Sequence, residues 1–228
     1  MLFTGNLLAH LQFAQTGWFY RYEAYLVLMG ITAILFNREV FKINNSFQEN
    51  ITTKFITIIL LLTLMIRGGL SHKEIKTASH NIFSQQIQIS LYLQNYYPFN
   101  KVALNDIGAS SYFSDKEIYD LWGIGSFKIT QALIRGKFNK EMIKNFLLLK
   151  KIPVLIVFKE WFLPFGGIPH PYRSFAKLEI TNNIICGSSE VYFYSLNGSI
   201  GAKMKKSLLS FQSELKGSGR LVFFNNPI

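Results

Sequence analysis

Residues 101–126, KVALNDIGASSYFSDKEIYDLWGIGS, decide the fold of this chain. The stretch begins as a short apolar strand that ends on Asp106, and it then turns through Gly108 into a small helical segment. A second strand, Glu117 to Trp122, follows and closes on a pair of glycines. A strand, a polar residue at its tip, a tight glycine turn and a second strand together predict the opening of an α/β unit.

The composition of the chain favours a membrane protein. Of its 228 residues, 49% are hydrophobic and only 16% are charged, whereas a typical globular domain has about 25% charged residues. The net charge is +11, from 24 basic and 13 acidic side chains. A basic excess beside a membrane segment favours lipid headgroups or a lipid-linked phosphate as partners, and it disfavours nucleic acid. The alternative is that the charges serve only to keep the domain in solution.

Two uncharged segments, residues 24–37 and residues 55–66, precede the strand–turn–strand stretch. Each is shorter than the roughly 20 residues that a bilayer-spanning helix needs. Flanking aromatic and long basic side chains can extend the effective span at the membrane interface. We therefore expect two transmembrane helices, at about 22–37 and 52–68. The alternative is a pair of helices buried in the core of a protein.

The predicted fold class is α/β, with two N-terminal transmembrane helices followed by a small extracytoplasmic α/β (Rossmann-like) domain. The membrane region comprises residues 1–70 and the α/β domain comprises residues 71–228. The short link between the two helices carries Arg38, Lys42 and Lys54, and the positive-inside rule places such a link in the cytoplasm. The C-terminal domain is therefore expected outside the plasma membrane.

Hydrophobic spacing predicts the remaining elements of the C-terminal domain. Ser71 to Tyr97 is predicted to be a helix that Pro98 ends. The continuous apolar run at 153–158 is typical of a strand that is buried on both faces. The other predicted elements are two helical pieces over 128–151, a strand pair at 177–185 and 190–196, and a final helix over 202–215.

Three stretches carry a resemblance to a known family. They are LAHLQFAQTGWFYRYEAYL at 8–26, NIFSQQIQISLYLQNYYP at 81–98, and 101–126 with its NDIGA, YFS and DLWG motifs. They resemble the C-terminal part of bacterial polytopic membrane proteins related to GT-C glycosyltransferases, which use polyprenyl-phosphate sugars. The resemblance covers most of residues 8–126 and does not extend through 127–228. It implies envelope glycan assembly at the bacterial inner (plasma) membrane, with membrane lipid, a polyprenyl-phosphate-linked sugar and other assembly proteins as partners.

The resemblance also bears on catalysis. GT-C enzymes place a catalytic acidic residue on the first extracytoplasmic loop of a protein with many membrane helices. Here the sole acidic residue before the first predicted helix is Glu23. The chain is therefore expected to be the C-terminal portion of such an enzyme without its catalytic half. The alternative is a non-catalytic, membrane-anchored extracytoplasmic binding or interaction module.

Five residues are candidate substrate contacts. Arg21, Tyr22 and Glu23 lie at the expected membrane boundary, where the guanidinium suits a lipid-linked phosphate and the carboxylate suits a sugar hydroxyl. The structural alternative there is an interfacial anchor with an ion pair. Asp106 and Asp120 end strands, where open α/β sheets place ligand contacts. Carboxylates at such positions also cap the backbone of the following turn.

No metal or nucleotide cofactor is expected. Cys186 is the single cysteine, the four histidines lack a ligand-like spacing, and the glycines after the strands do not form GxGxxG. The aromatic loop 161–172 is a further candidate for stacking a sugar, and the basic segment 135–151 is one for anionic headgroups. The structural alternatives are loop packing and a solvated helix face.

Overall fold

The chain divides into two compact units, Met1–Ile75 and Lys76–Ile228. The computed structural model describes residues 2–13, 24–36 and 51–225. Within the first unit it describes α1 (Leu2–Phe13), α2 (Ala24–Phe36) and the first part of α3 (Ile51–Ile82), which continues into the second unit. The buried His10 joins α1 to α2, because its Nδ1 lies 2.8 Å from the hydroxyl of Tyr25.

The prediction of two N-terminal transmembrane helices, and with it the predicted fold class, is wrong. In the described part of the chain, no helix combines the length and the apolar character that crossing a membrane requires. Helix α2 has 13 residues, short of the roughly 20 that a bilayer requires. Helix α3 is longer, with 32 residues, but its uncharged run ends at Arg67 and is followed by polar and charged residues.

The second unit begins with polar side chains that are buried against distant loops. A π-helical turn (Phe83–Ile87) follows α3 and leads into α4 (Gln88–Asn95). The fully buried Gln85 donates from Nε2 to the carbonyl of Ser188 at 2.9 Å. The segment predicted as a helix over 71–97 is helical as far as Asn95. It can bury polar side chains in its middle because a loop provides a hydrogen-bond partner for Gln85.

A six-stranded mixed sheet forms the centre of this unit. The strands are β1 (Lys101–Leu104), β2 (Glu117–Asp120), β3 (Val154–Val157), β4 (Arg173–Glu179), β5 (Glu190–Ser195) and β6 (Arg220–Phe223). Their order in the sheet is β2-β1-β3-β5-β4-β6. The first three strands of that order are parallel, whereas each contact among β3, β5, β4 and β6 is antiparallel.

Helices cover the sheet on two sides, so that the unit has three layers. Alternate residues of a strand face opposite sides, and β3 accordingly contributes Ile156 to one hydrophobic cluster and Leu155 to the other. The first cluster includes side chains of α4 and of the helix Gly198–Gln212, and the second includes side chains of the helices Phe127–Ile134 and Lys140–Leu149. The helices after α4 are α5 (Gly108–Phe113), α6 (Phe127–Ile134), α7 (Lys140–Leu149) and α8 (Gly198–Gln212).

The connections of the parallel strands create a crevice between β1 and β3. The chain leaves β1 through α5 on the α4 side, where the hydroxyls of Ser90 and Ser110 lie 3.3 Å apart, and it reaches β2 at one end of the sheet. The chain leaves β3 through a 3-10 helix (Lys159–Phe165) and returns in β4, on the opposite side of β3. Such a divergence at the carboxyl ends of neighbouring parallel strands is where open α/β sheets bind ligands.

Candidate functional site at the carboxyl edge of the sheet

The structure places Asp106 and Asp120 at the same edge of the sheet, since Asp106 follows the carboxyl end of β1 and Asp120 is the last residue of β2. Leu104 and Asp120 are register partners in the parallel pair β1–β2. Gly125 is also close, because a Cβ built on it would lie 2.9 Å from the Cδ1 of Ile107. The two turns that follow β1 and β2 are therefore in contact.

The carboxylate of Asp120 holds the turn after β2. Its Oδ1 accepts from the backbone N–H of Trp122 at 2.7 Å, and its Oδ2 accepts from the N–H of Gly125 at 2.5 Å. Asp120 is only 4% exposed. Within this turn Gly123 has φ +91°, and a Cβ there would lie 3.0 Å from the backbone nitrogen of Thr130. A buried carboxylate that accepts from two backbone N–H groups is well suited to fixing a turn.

Asn105 and Asp106 directly follow β1 and line a small cavity. Asn105 is 2% exposed, and its Oδ1 accepts from the N–H of Phe158 at 3.0 Å, which ties the ends of β1 and β3 together. The cavity has a volume of about 10 Å³ and is lined by polar groups of Gln86, Asn105 and Asp106 and by apolar side chains of β1, β3 and β5. A volume of this size admits about one water molecule or one hydroxyl group.

The amide of Asn105 carries a donor that protein groups do not use. Its Nδ2 is buried and has no hydrogen-bond partner among the described residues. An unpaired buried donor costs about 1–3 kcal/mol relative to a paired one. Because Oδ1 is held by Phe158, the amide cannot rotate to pair Nδ2 without losing that bond. Asn105 lines the cavity described above, and a hydroxyl oxygen that reached Nδ2 would remove this cost.

Two tryptophans form a row of aromatic rings with Phe158. The rings of Phe158 and Trp161 have centroids 5.3 Å apart, and those of Trp161 and Trp122 have centroids 4.7 Å apart with planes inclined by 54°. Both tryptophans are half-buried. Trp161 Nε1 donates to the carbonyl of Gly187 at 3.2 Å. An aromatic surface and polar amides therefore share this edge of the sheet.

Gly187 and Cys186 close this edge from the loop between β4 and β5. A Cβ on Gly187 would lie 2.6 Å from the Trp161 ring and 2.7 Å from the Phe158 ring, so only glycine fits there. Burial, followed by the negative charge of Asp106, raises the pKa of the Cys186 thiol to about 12. The thiol is therefore protonated near neutral pH and is a poor nucleophile.

Of the other predicted site residues, Arg21, Tyr22 and Glu23 lie outside the described residues. In the aromatic loop, Phe162 and Tyr172 belong to the hydrophobic core, with 0% and 4% exposure. No group of three metal-ligating side chains occurs in the described ranges. The candidate site is therefore built on Asp106 and on Trp161 from the predictions.

Sequence reasoning missed Asn105, Gln86 and Trp122 as site residues. Asn105 directly precedes Asp106 at a strand end, which is a signal that was present in the sequence. Gln86 stands in a helix 19 residues earlier in the chain, and nothing local indicates that it lines a cavity at the end of β1. Trp122 follows the second strand, but its pairing with Trp161 depends on the tertiary fold.

The sheet and its carboxyl-edge crevice define a three-layer α/β domain with a mixed sheet. Residues 80–194, just over half of the chain, match the family described as Domain of unknown function (DUF8728), and the chain belongs to that family. The match takes in β1 to β4, all but the last residue of β5, and all the residues of the carboxyl-edge site. Comparison with curated proteins and with solved structures gives no match.

Proposed function

We propose that the unit Lys76–Ile228 is a saccharide-binding module of a GT-C-like glycosyltransferase system, acting in bacterial envelope glycan assembly. The saccharide binds at the carboxyl edge, where the amides of Gln86 and Asn105 line a cavity together with Phe158. The ring of Phe158 packs on the half-buried Trp161, which in turn packs on Trp122. Sugars present hydroxyl groups on their rims and C–H groups on their faces. Amides that exchange hydrogen bonds with hydroxyls, next to aromatic rings that stack on the ring face, match that chemistry.

The observation that carries this proposal is the unused Nδ2 donor of Asn105. A sugar hydroxyl that enters the cavity of about 10 Å³ accepts this hydrogen bond and removes the cost of the unpaired donor. Gln86 and Asp106 line the same cavity and provide acceptors for the proton of the hydroxyl. Selectivity follows, because a ligand without a hydroxyl at this position leaves the donor unpaired.

The nature of the saccharide comes from the resemblance of residues 8–126 to GT-C-like proteins. We take the ligand to be a sugar linked to a polyprenyl phosphate, presented on the outer side of the plasma membrane. Other proteins of envelope glycan assembly are the expected partners. Asp120 is assigned to the turn and not to the ligand, because both of its carboxylate oxygens are bonded to the backbone.

Titration calorimetry with short-chain prenyl-phosphate sugars, each carrying one hexose, tests this function. The informative variant is Asn105→Asp, because a carboxylate keeps the acceptor for Phe158 N–H and removes the Nδ2 donor. We expect it to weaken binding by about tenfold or more, since a good hydrogen bond to a buried group contributes about 1.4 kcal/mol. Trp161→Phe, which reduces the stacking surface, should weaken binding to a smaller extent.

The matched control is Tyr112→Ala, which removes an aromatic side chain that is 83% exposed on α5 and is absent from the site. It should bind as the parent chain does. Thermal unfolding of each variant establishes that it is folded. The proposal is wrong if the folded Asn105→Asp variant binds prenyl-phosphate sugars with unchanged affinity, or if the parent chain binds none of these sugars.

A second candidate function is the docking of an assembly partner at the same edge. Ile124 and Phe127 flank the turn after β2 and are 76% and 80% exposed, and exposed apolar side chains at a ligand edge also suit a protein partner. The sugar titration distinguishes the two. Replacing both residues by serine should leave sugar affinity unchanged under the first function and should abolish partner binding under the second.

A further inference from the structure

A second pocket lies on the antiparallel part of the sheet, between the 3-10 helix, the loop 166–172 and the strands β4 and β5. Its volume is about 400 Å³, which is within the range of about 300–1,000 Å³ found for small-molecule sites. Six of the residues that line it determine which ligand it could bind; they are Lys159, Ile168, His170, Tyr172, Arg173 and Tyr194. None of these residues lines the carboxyl-edge cavity.

The lining of this pocket is basic. Lys159, His170 and Arg173 contribute three nitrogen-bearing side chains, and no Asp or Glu lines the pocket. Among the described residues, none of the three makes a salt bridge, whereas the neighbouring Lys177 lies 2.9 Å from Glu179. Glu160 is near enough to add to the raised pKa of Tyr194, behind burial and Tyr192, but its own side chain is exposed. The pocket therefore offers Lys159 and Arg173 as cations without a salt-bridge partner among the described residues, and the ammonium of Lys159 lies 5.5 Å from the centroid of the Tyr192 ring.

The walls of the pocket are held by the fold. Gly166 and Gly167 have φ of +91° and +78°, and the left-handed backbone of Gly166 ends the 3-10 helix. The hydroxyl of the buried Tyr172 donates to the carbonyl of Ile152 at 2.6 Å, which anchors the end of the loop beside β3. Tyr194 is 5% exposed and belongs to the hydrophobic core. A ligand would thus meet preformed aromatic walls with basic side chains at the opening.

We propose that this pocket binds the phosphate group of a small phosphorylated molecule of about the size of a sugar phosphate. The guanidinium of Arg173 provides the planar pair of donors that matches two phosphate oxygens, and the ammonium of Lys159 adds a point charge. Tyr172 and Tyr194 form an apolar wall for the rest of the ligand. The proposal does not depend on saccharide binding at the carboxyl edge, because the two sites share no lining residue.

The test is titration calorimetry of the 228-residue chain with glucose 1-phosphate, inorganic phosphate and glucose. The chain should bind glucose 1-phosphate saturably, inorganic phosphate should compete, and glucose should not. The double variant Lys159→Gln/Arg173→Gln should weaken glucose 1-phosphate binding by about tenfold or more, since it removes two charge-assisted contacts.

The matched control is Arg135→Gln/Lys137→Gln, which removes one arginine and one lysine from exposed positions outside the pocket. It changes the net charge by the same amount and should alter the affinity by less than about twofold. An equal loss in both double variants would show a general charge effect and overturn the site. Absence of saturable binding by the folded parent chain would also overturn it.

Vesicles containing phosphatidylglycerol separate a lipid headgroup from a small ligand. If the vesicles bind with a dependence on Lys159 and Arg173 while glucose 1-phosphate does not, the pocket recognises a lipid phosphate and the small-molecule assignment is wrong. Tyr112→Ala serves as a further control, because Tyr112 lines neither the pocket nor the carboxyl-edge cavity and its loss should leave glucose 1-phosphate binding unchanged. If glucose 1-phosphate does not bind at this pocket while prenyl-phosphate sugars still bind at the carboxyl edge, then this inference is wrong and the proposed function is unaffected.

Discussion

The parallel half of the sheet (β2, β1 and β3) and the antiparallel half (β5, β4 and β6) differ in how their faces are covered. Strand β3 is buried at all four positions, whereas β5 alternates between buried and half-buried residues over part of its length. The cluster that contains α6 and α7 takes only Tyr194 from the antiparallel half as a buried member. On this side the antiparallel half keeps polar residues such as Lys177 and Glu190.

This difference in how the sheet faces are covered explains why the two candidate sites have different side chains. The carboxyl-edge cavity lies at the end of strands that are covered on both faces, so it is narrow and is lined by two amides, the carboxylate of Asp106 and apolar side chains. The pocket with Lys159 and Arg173 lies where the sheet is covered by a loop, so charged side chains can reach it and stay solvated. A charged group between covered faces needs hydrogen-bond partners, as Asp120 has in the backbone of its turn, whereas a charged group under a loop can stay solvated.

The largest expected effect is that of Leu155→Ala in the centre of the parallel half. Leu155 is 0% exposed and packs in the cluster of α6 and α7. Removing such a side chain costs about 2–5 kcal/mol of unfolding free energy, from lost burial and the remaining cavity. Val222→Ala, at a half-buried position of β6, should cost less than about 1 kcal/mol. Urea unfolding followed by circular dichroism measures both, and equal costs would contradict the difference between the halves.

An intermediate effect is expected for Asp120→Ala. The variant leaves the N–H groups of Trp122 and Gly125 without their acceptor, and it should lower the unfolding free energy by about 2–3 kcal/mol. The control is Asp115→Ala, which makes the same change of charge at an exposed position and should have little effect on the unfolding free energy. Urea unfolding measures the two variants. If Asp120→Ala is as stable as the control, then the carboxylate does not hold the turn.

The smallest effect is expected in the antiparallel half, for Lys177→Met. Lys177 Nζ contacts both Glu179 and Glu190 and is 19% exposed, and a partly solvated pair of this kind contributes about 1 kcal/mol. The pKa values of Glu179 and Glu190 are both lowered, and the largest cause in each case is the hydrogen bond from Lys177. Arg220→Ala, which removes a side chain that is 76% exposed in contact with Glu179, should cost less still.

The same variant has an expected pH dependence. A lowered folded-state pKa means that Glu179 and Glu190 stabilise the fold fully above their unfolded pKa of about 4.3, and that this contribution is lost as the pH falls through the lower folded pKa. Urea unfolding at a series of pH values should show the parent chain losing more stability below about pH 4.3 than Lys177→Met does. Identical pH profiles would show that these pairs do not contribute.

Much of the sheet was predictable from local patterns. The strands at 101–104, 117–120, 154–157 and 190–195 fall inside the predicted segments, because short apolar runs between glycine or proline residues limit the choices. Strand β4 begins at Arg173 and not at Lys177, since a bulge between Ser174 and Ala176 shifts the alternation that marks a strand. Strand β6 was not predicted, although its four residues equal the length of β1, β2 and β3.

The transmembrane prediction failed for a different reason. Hydrophobic composition indicates that a segment avoids water, but it does not determine the length of the helix that forms. Helix α2 extends over Ala24–Phe36, and α3 continues from its apolar part into a polar part. The candidate site was only partly predictable, since Asp106 and Trp161 carry local signals and the partners of Asn105 do not.

The sequence by itself determined that residues 101–126 form a strand–turn–strand unit, and that glycine and aspartate close its second turn. These features depend on residues within five positions of one another, such as Asp120 and Gly125. Only the tertiary structure decided that β3 lies between β1 and β5, and that Asn105 meets Phe158 across 53 positions. The physical reason is that backbone and turn preferences are local, whereas cavities and charge clusters form when distant segments pack.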